Sequence, residues 1–254
     1  MKVYFVGAGP GNPDLITVKG RDLLEQADIV IYTGSLVSVK HLECCRNDAR
    51  LMNSASMSLE AVGQVYLREK DSSGIIVRLH TGDPSIYGAI QEQIDLLRGW
   101  NIPFAIVPGI SSFQAASAAL ERQFTLPGVS QTIIITRLEG RTAVPESERL
   151  EVLAQSGATL LIFLSADRVA EIQARLSPIL GEDTPAAVVY RASWPDEKIV
   201  RGCLGNLSTL ASGITRHALV VVGRVLASDY QQSRLYDAAF SHGWRKGEAQ
   251  MGEE

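Results

Sequence analysis

Apolar residues fall into short runs along this chain, each stopped by a glycine- or proline-bearing break and followed by a stretch of helical period. Residues 2–6 are such a run, ending at Gly7-Ala8-Gly9-Pro10-Gly11-Asn12-Pro13, which reads as a buried strand entering a loop. Asp14 precedes Leu15, Val18, Leu23 and Leu24, so a helix capped by Asp14 is expected there. Residues 28–32 form a second strand closed by Thr33-Gly34-Ser35. A helix over 58–69 and a strand over 74–79 follow. Asp83-Pro84 then opens a predicted helix carrying Ile86, Ile90, Ile94 and Leu97 at spacings of three and four. Residues 103–107 are another strand, and Ser111 or Ser112 caps an alanine-rich helix running to Leu120. Strand and helix alternate throughout this half, the mark of an α/β layer with parallel strands.

The pattern shifts over 122–130, where Pro127-Gly128 sits, and a domain boundary is expected there, giving domains 1–121 and 122–227. The second half restarts with a strand at 131–136, a helix near 146–154, a strand at 158–164 and a helix marked by Val169, Ile172 and Leu176. Three strand-like pieces follow, at 186–190, 198–203 and 218–222, the first two joined by what reads as a hairpin connection. Antiparallel pairing is therefore expected to mix with parallel pairing in this half. From 228 to 254 the chain is polar and weakly periodic, a tail with no requirement for order.

Composition narrows the function classes. With 254 residues, 46% hydrophobic and 20% charged, the chain has the balance of a globular protein with a real core. Its 24 Lys+Arg against 28 Asp+Glu leave a net charge of -4, which gives no global attraction for nucleic acid. Aromatic residues are 6%, too few for a base-stacking platform. No apolar run approaches the roughly 20 residues of a membrane span, and the opening residues hold too short an apolar core for a signal peptide. A cytoplasmic protein that binds neither membrane nor nucleic acid is the expectation. Three cysteines and four histidines lack the spacing of a disulfide framework or a metal site, so no metal is expected.

The glycine loop invites a dinucleotide reading, but that fingerprint needs a third glycine where Asn12 stands and an acid at the tip of the second strand, where Thr33-Gly34-Ser35 stands. More informative is Thr81-Gly82-Asp83-Pro84-Ser85-Ile86-Tyr87-Gly88, at the carboxyl end of a buried strand, the edge at which open α/β sheets bind ligands. Pro108-Gly109-Ile110-Ser111-Ser112 repeats the arrangement at the next strand end. Two such strand ends describe one pocket better than two accidents. Standing alone, the glycine loop also fits a tight strand-to-helix turn with no ligand, and Asp83 also fits a plain helix cap, which is compatible with ligand binding.

Together the GAGPGNPDLIT loop, the TGDPSIYG segment and the VPGISS segment resemble the tetrapyrrole methylases, S-adenosylmethionine-dependent C-methyltransferases of corrin and sirohaem synthesis. The resemblance runs from residue 1 to about 227. Within the family, the segments at 31–37, 136–142 and 190–198 resemble the branch that methylates precorrin-4 at C11. Relatives acting on uroporphyrinogen III usually carry an aspartate directly after the tyrosine where Thr33-Gly34 stands here, which speaks against that sister activity.

The resemblance implies two α/β domains of the tetrapyrrole methylase type with a cleft between them, a homodimer, and a small-molecule tetrapyrrole substrate. It implies S-adenosyl-L-methionine contacts at Gly82, Asp83, Ile86, Ser111 and Ser112, and at Leu164, Ala192, Ala218 and Leu219, with Pro10 near donor or macrocycle. The acceptor carries several carboxylates, for which forked donors are suited. Arg137, Arg141, Arg191 and Lys198, together with Asp14, form the expected substrate-binding set, each with an alternative reading as a solvated charge. Asp14, Glu139 and Asp196 are candidates for removing a proton, and nothing in the residue pattern singles one out. A sister methylase of other regiochemistry, a donor-binding protein without turnover and a nucleotide-dependent oxidoreductase remain as alternatives.

Overall fold

The computed structural model describes residues 1–227, 230, 231, 233 and 237–246; about half of the expected tail at 228–254 therefore lies outside the described residues. The chain forms two compact units, one of 1–120 with 189–198, the other of 121–188 with 199–254.

In the first unit the order is β1 (Lys2–Gly7), α1 (Val18–Gln26), β2 (Ile29–Tyr32), β3 (Arg50–Asn53), α2 (Leu59–Arg68), β4 (Ile75–His80), α3 (Gln91–Gly99), β5 (Phe104–Val107) and α4 (Ser112–Leu120). The strands lie in the order β3-β2-β4-β1-β5. The ladders β2–β3, β2–β4, β1–β4 and β1–β5 are all parallel. Strand alternation divides the core between two faces. Val3, Phe5, Ile29, Ile31 and Ile76 face Val62, Val65 and Tyr66 of α2 and Ile94 and Leu97 of α3. Val6, Val30, Val77 and Leu79 face the other way, onto Leu23 and Leu24 of α1. A sheet covered on both sides explains why its central strands read as continuous apolar runs.

The second unit contains β6 (Ile133–Arg137), α5 (Leu150–Ala154), β7 (Thr159–Phe163), α6 (Val169–Leu180), β8 (Pro185–Tyr190), β9 (Lys198–Cys203), α7 (Leu207–Leu210) and β10 (Ala218–Val222). Its sheet runs β6-β7-β10-β8-β9. β6 pairs parallel with β7, and β10 pairs antiparallel with β7, so the sheet is mixed as expected. Leu160 and Ile162 of β7, Val220 and Val222 of β10 and Ile172 and Leu176 of α6 centre its core.

Three local readings are corrected, and one strand adds to those expected. Asp14 does not cap the first helix: Asn12 accepts from the Asp14 amide to close a single 3-10 turn, residues 16–17 are extended, and Thr17 caps α1 through the Gly20 amide. No helix begins at Pro84; Tyr87 (φ 54°) and Ala89 (φ 48°) are left-handed, which a right-handed helix does not accept, so one turn forms and α3 starts only at Gln91. The helix near 146–154 is broken into a 3-10 turn at Glu146–Glu148 and the short α5. β3 was not foreseen, because its Arg-Leu-Met-Asn carries too few buried positions to leave a pattern.

Candidate functional site

Three strand-to-helix connections of the first unit meet at the carboxyl edge of its sheet, and they meet backbone on backbone. A Cβ added to Gly7 would lie 2.5 Å from the Gly82 carbonyl oxygen and 2.6 Å from Gly109 Cα. One added to Gly109 would lie 2.2 Å from that same oxygen. Gly9 and Gly82 exchange amide-to-carbonyl hydrogen bonds of 3.2 and 2.8 Å. These glycines are therefore required first by the packing of loop on loop, a reason the sequence does not display. Gly82 itself (φ +60°) differs: an added Cβ would only touch Ser111 Cα at 3.5 Å and approach the Ser112 amide at 3.8 Å. Gly82, Ser111 and Ser112 thus stand together.

Asp83 ties the cluster. One carboxylate oxygen accepts from the Gly109 amide at 2.8 Å, and the other accepts from the Ser85 amide at 2.8 Å and from the Ser85 hydroxyl. Partial burial disfavours its charge, but the hydrogen bonds from Ser85 and Gly109 outweigh that and hold the carboxyl below its ordinary range. Ile86 closes the turn by donating its amide to the Asp83 carbonyl at 3.2 Å. Ser111 is buried, and its carbonyl accepts from the Gln114 and Ala115 amides, starting α4.

The segment 189–198 grips the glycine-proline loop of the same unit. The Trp194 indole donates to the Pro10 carbonyl at 2.9 Å, and the Asn12 amide donates to the Ser193 hydroxyl at 3.1 Å. A Cβ on Gly11 would fall 2.1 Å from the indole, so Gly11 makes room for this ring. Arg191 stacks on Trp194 with its guanidinium carbon 4.0 Å from the ring centroid and pairs with Asp196 at 2.6 Å. Ala192 is buried between two left-handed residues, Arg191 (φ 47°) and Ser193 (φ 69°). Pro10, Gly82, Asp83, Ile86, Ser111, Ser112, Ala192 and Arg191 all belong to this unit. Replacing Gly11 by alanine is expected to evict Trp194, moving its emission to the red and raising its accessibility to iodide while far-ultraviolet circular dichroism is kept.

In the second unit, Leu164 directly follows β7, left-handed (φ 52°) and 70% exposed, an unusual state for a leucine. Val220 stands opposite Ile162 in the antiparallel ladder, so Ala218, the first residue of β10, lies toward the end of β7 that Leu164 follows. Leu219 beside Ala218 is buried. Tertiary pairing thus brings together two strands far apart in sequence.

The charged candidates differ in what already holds them. Arg137 spends its donors on its own loop, bonding to Leu138, Thr142 and Ala143. Arg141, Lys198 and Asp14 are exposed. Glu139 accepts from Arg175 at 2.7 Å, and the same guanidinium forks onto Glu151 at 2.6 and 2.7 Å. Hydrogen bonds from Arg175 lower the Glu151 carboxyl to about 2. Glu139 and Asp196 are thus held as partners of arginines rather than as free bases. His80 is pushed down to about 3 by burial and by the Arg78 charge, so it is neutral at working pH. Among the described residues, no group of three metal-ligating side chains occurs, and no helix is long and apolar enough to cross a membrane.

Residues 2–208 match the family model described as Tetrapyrrole (Corrin/Porphyrin) Methylases. The chain is 50% identical over 251 residues to a cobalt-precorrin-4 C(11)-methyltransferase of Methanocaldococcus jannaschii, covering 96% of each chain. It is similar to the X-ray structure of a cobalamin biosynthetic enzyme, cobalt precorrin-4 methyltransferase, with a TM-score of 0.87 and 44% identity over 89% of this chain and 96% of that one. It is also similar to the uroporphyrin-III C-methyl transferase of Thermus thermophilus complexed with S-adenosyl homocysteine, with a TM-score of 0.74 and 25% identity over 89% and 94% of the two chains.

Proposed function

The chain belongs to the tetrapyrrole (corrin/porphyrin) methylases, and from that premise we infer that it moves a methyl group from S-adenosylmethionine to carbon 11 of precorrin-4, metal-free or bearing cobalt. The observation that carries this reading is half-identity along 96% of the chain to a relative bearing that activity as its name. The reaction places the protein in cobalamin biosynthesis.

Bound S-adenosylmethionine supplies a methyl group already activated on a sulfonium, so transfer to carbon needs no protein nucleophile. The residues at the carboxyl edge of the first sheet fit such a donor. The Gly82 amide and carbonyl are already paired with Gly9 and the Ser111 carbonyl with the start of α4, so what Gly82 offers a donor is close approach to the backbone at Ser111 and Ser112, with no side chain in the way. We assign Gly82, Asp83, Ile86, Ser111, Ser112 and Ala192 of this unit to the donor, with Pro10 beside donor or macrocycle. Asp83 acts on the loops: by tying Gly109 to Ser85 it holds the backbone at Gly82 in one place. Alignment of methyl and acceptor carbon is then the main source of rate, within the roughly 7–11 kcal/mol attributable to proximity.

Arg141 and Lys198 are both exposed and without a side-chain hydrogen-bond partner among the described residues, and of the two Arg141 has the forked donors suited to a substrate carboxylate. Arg141→Ala is expected to raise KM for the tetrapyrrole on the order of tenfold, the worth of one charge-assisted hydrogen bond, with donor Kd unchanged by calorimetry. The function itself is tested by incubating the protein with methyl-labelled donor and precorrin-4, cobalt-precorrin-4 or uroporphyrinogen III, and locating the label by NMR. Label at C11 supports the reading; label elsewhere, or donor binding with no transfer, overturns it. The same reading carries a cytoplasmic homodimer, the dimer being checked by sedimentation equilibrium.

A further inference from the structure

β4 interrupts the apolar face of the sheet with two buried polar residues, Arg78 and His80. On the face turned to α2 and α3, where Val3, Phe5, Ile29, Ile31 and Ile76 are apolar, β4 continues with Arg78, which is 7% exposed. Burying a guanidinium is costly unless its charge is met. Nη1 donates to the Ile31 carbonyl at 3.1 Å and to the Thr33 hydroxyl at 3.5 Å, and Nε donates to the Gln93 amide oxygen at 3.3 Å. All three acceptors are neutral, and among the described residues no carboxylate pairs with Arg78 and nothing accepts from Nη2.

Beside this cation is a cavity of about 240 Å³, lined among others by Arg78, Ser58, Leu59, Ala89, Glu92 and Gln93. Ser58 and Leu59 begin α2, and Glu92 and Gln93 lie in the first turn of α3, whose start has no side-chain cap. Two helix amino ends therefore border the cavity, each carrying about half a positive charge. Glu92, the one acidic residue of the lining, is exposed and screened by solvent. In a parallel sheet the β3-to-α2 and β4-to-α3 connections lie at the carboxyl edge, the edge at which Gly7, Gly82 and Gly109 meet.

We propose that this cavity is a carboxylate subsite in which Arg78 receives an acidic side chain of the macrocyclic acceptor. The proposal rests on the methylase reading for the identity of its guest, but not for the anion site itself. Free inorganic anions share the chemistry, so the test separates the two sources. Thr33 supplies an internal competitor: its hydroxyl is 3.5 Å from Nη1, and Thr33→Asp sets a carboxylate beside the guanidinium. Arg78→Met removes the cation outright, and Thr33→Asp keeps the test valid where the methionine variant fails to fold.

The measurements are melting temperature in propionate, phosphate or chloride, KM for precorrin-4, and donor Kd by calorimetry. Expected for the wild type is a concentration-dependent rise in melting temperature with propionate beyond that with chloride. Thr33→Asp is expected to abolish that rise and to raise acceptor KM at least tenfold with donor Kd unchanged. Unchanged propionate response and unchanged KM in folded Thr33→Asp overturn the subsite. Loss of a phosphate response with KM unmoved assigns the cavity to a free anion and overturns the guest proposed. If the wild type methylates no tetrapyrrole yet still responds to propionate through Arg78, the methylase reading fails while the anion site stands.

Discussion

Gly109→Ala is expected to cost more than about 4 kcal/mol, enough to leave most of the chain unfolded or insoluble, a loss diagnostic of a named steric mechanism. The new Cβ would lie 2.2 Å from the Gly82 carbonyl oxygen, 2.7 Å from Gly7 Cα and 3.0 Å from Gly7 carbonyl carbon. All three are backbone atoms of other connections, so no side-chain rotation relieves the overlap. Relief requires the β1 or β4 loop to withdraw, breaking the Gly9–Gly82 pairing that joins them. The control lies in the same unit: Gly99 ends α3 and an added Cβ meets nothing within 4 Å. Gly99→Ala is expected to be neutral or to stabilise by up to about 1 kcal/mol, because it restricts the unfolded chain and suits a helix. Thermal melts and soluble yield compare the pair. Similar stability in both variants refutes the packing role of Gly109.

The second large effect is on activity. In Asp83→Ala the Gly109 amide loses its acceptor and Ser85 loses its anchor, which is expected to cost about 1–3 kcal/mol of stability for the unsatisfied amide. Methyl transfer is expected to fall on the order of 100-fold, since displacement of a positioning loop by about 1 Å suffices for that. Donor Kd should weaken in parallel. The pH dependence has a defined sign. The folded carboxyl titrates below its ordinary 3.8, so its contribution to stability is full above that value and disappears as pH falls through the folded pKa. The stability gap between wild type and Asp83→Ala should therefore be constant near neutrality and shrink below about pH 3.8. A gap that is independent of pH down to the acid limit, or full activity in the variant, removes the tethering role.

Much of this molecule follows from local pattern. The strands of the first unit other than the edge strand β3 show as apolar runs because both faces of a parallel sheet are buried, and α2 shows as a helix because Val62, Val65 and Tyr66 fall on one side and Ser58 caps it. The motifs at Gly82 and Gly109 mark the ligand edge, since loops at strand ends must contain the residues that let chains turn. The family resemblance was legible from three separated segments in order. Helix starts were less so. Asn12 and Thr17 outcompeted Asp14, and left-handed Tyr87 and Ala89 cancelled a helix whose apolar spacing was correct. Spacing reports which face is buried, not where the backbone breaks.

Tertiary structure alone decided which residues meet. Gly11 is cut to the indole of Trp194, Val220 pairs with Ile162, and Asp83 reaches Gly109, partners separated in sequence by tens to nearly two hundred positions. It also decided what charges are for: Arg137 folds its own loop, Glu139 serves Arg175, and Arg78 stands buried against neutral acceptors. A residue's type records what it can bond with. Its role depends on which of those bonds the fold has already filled, and that is set by contacts between segments that no local window contains.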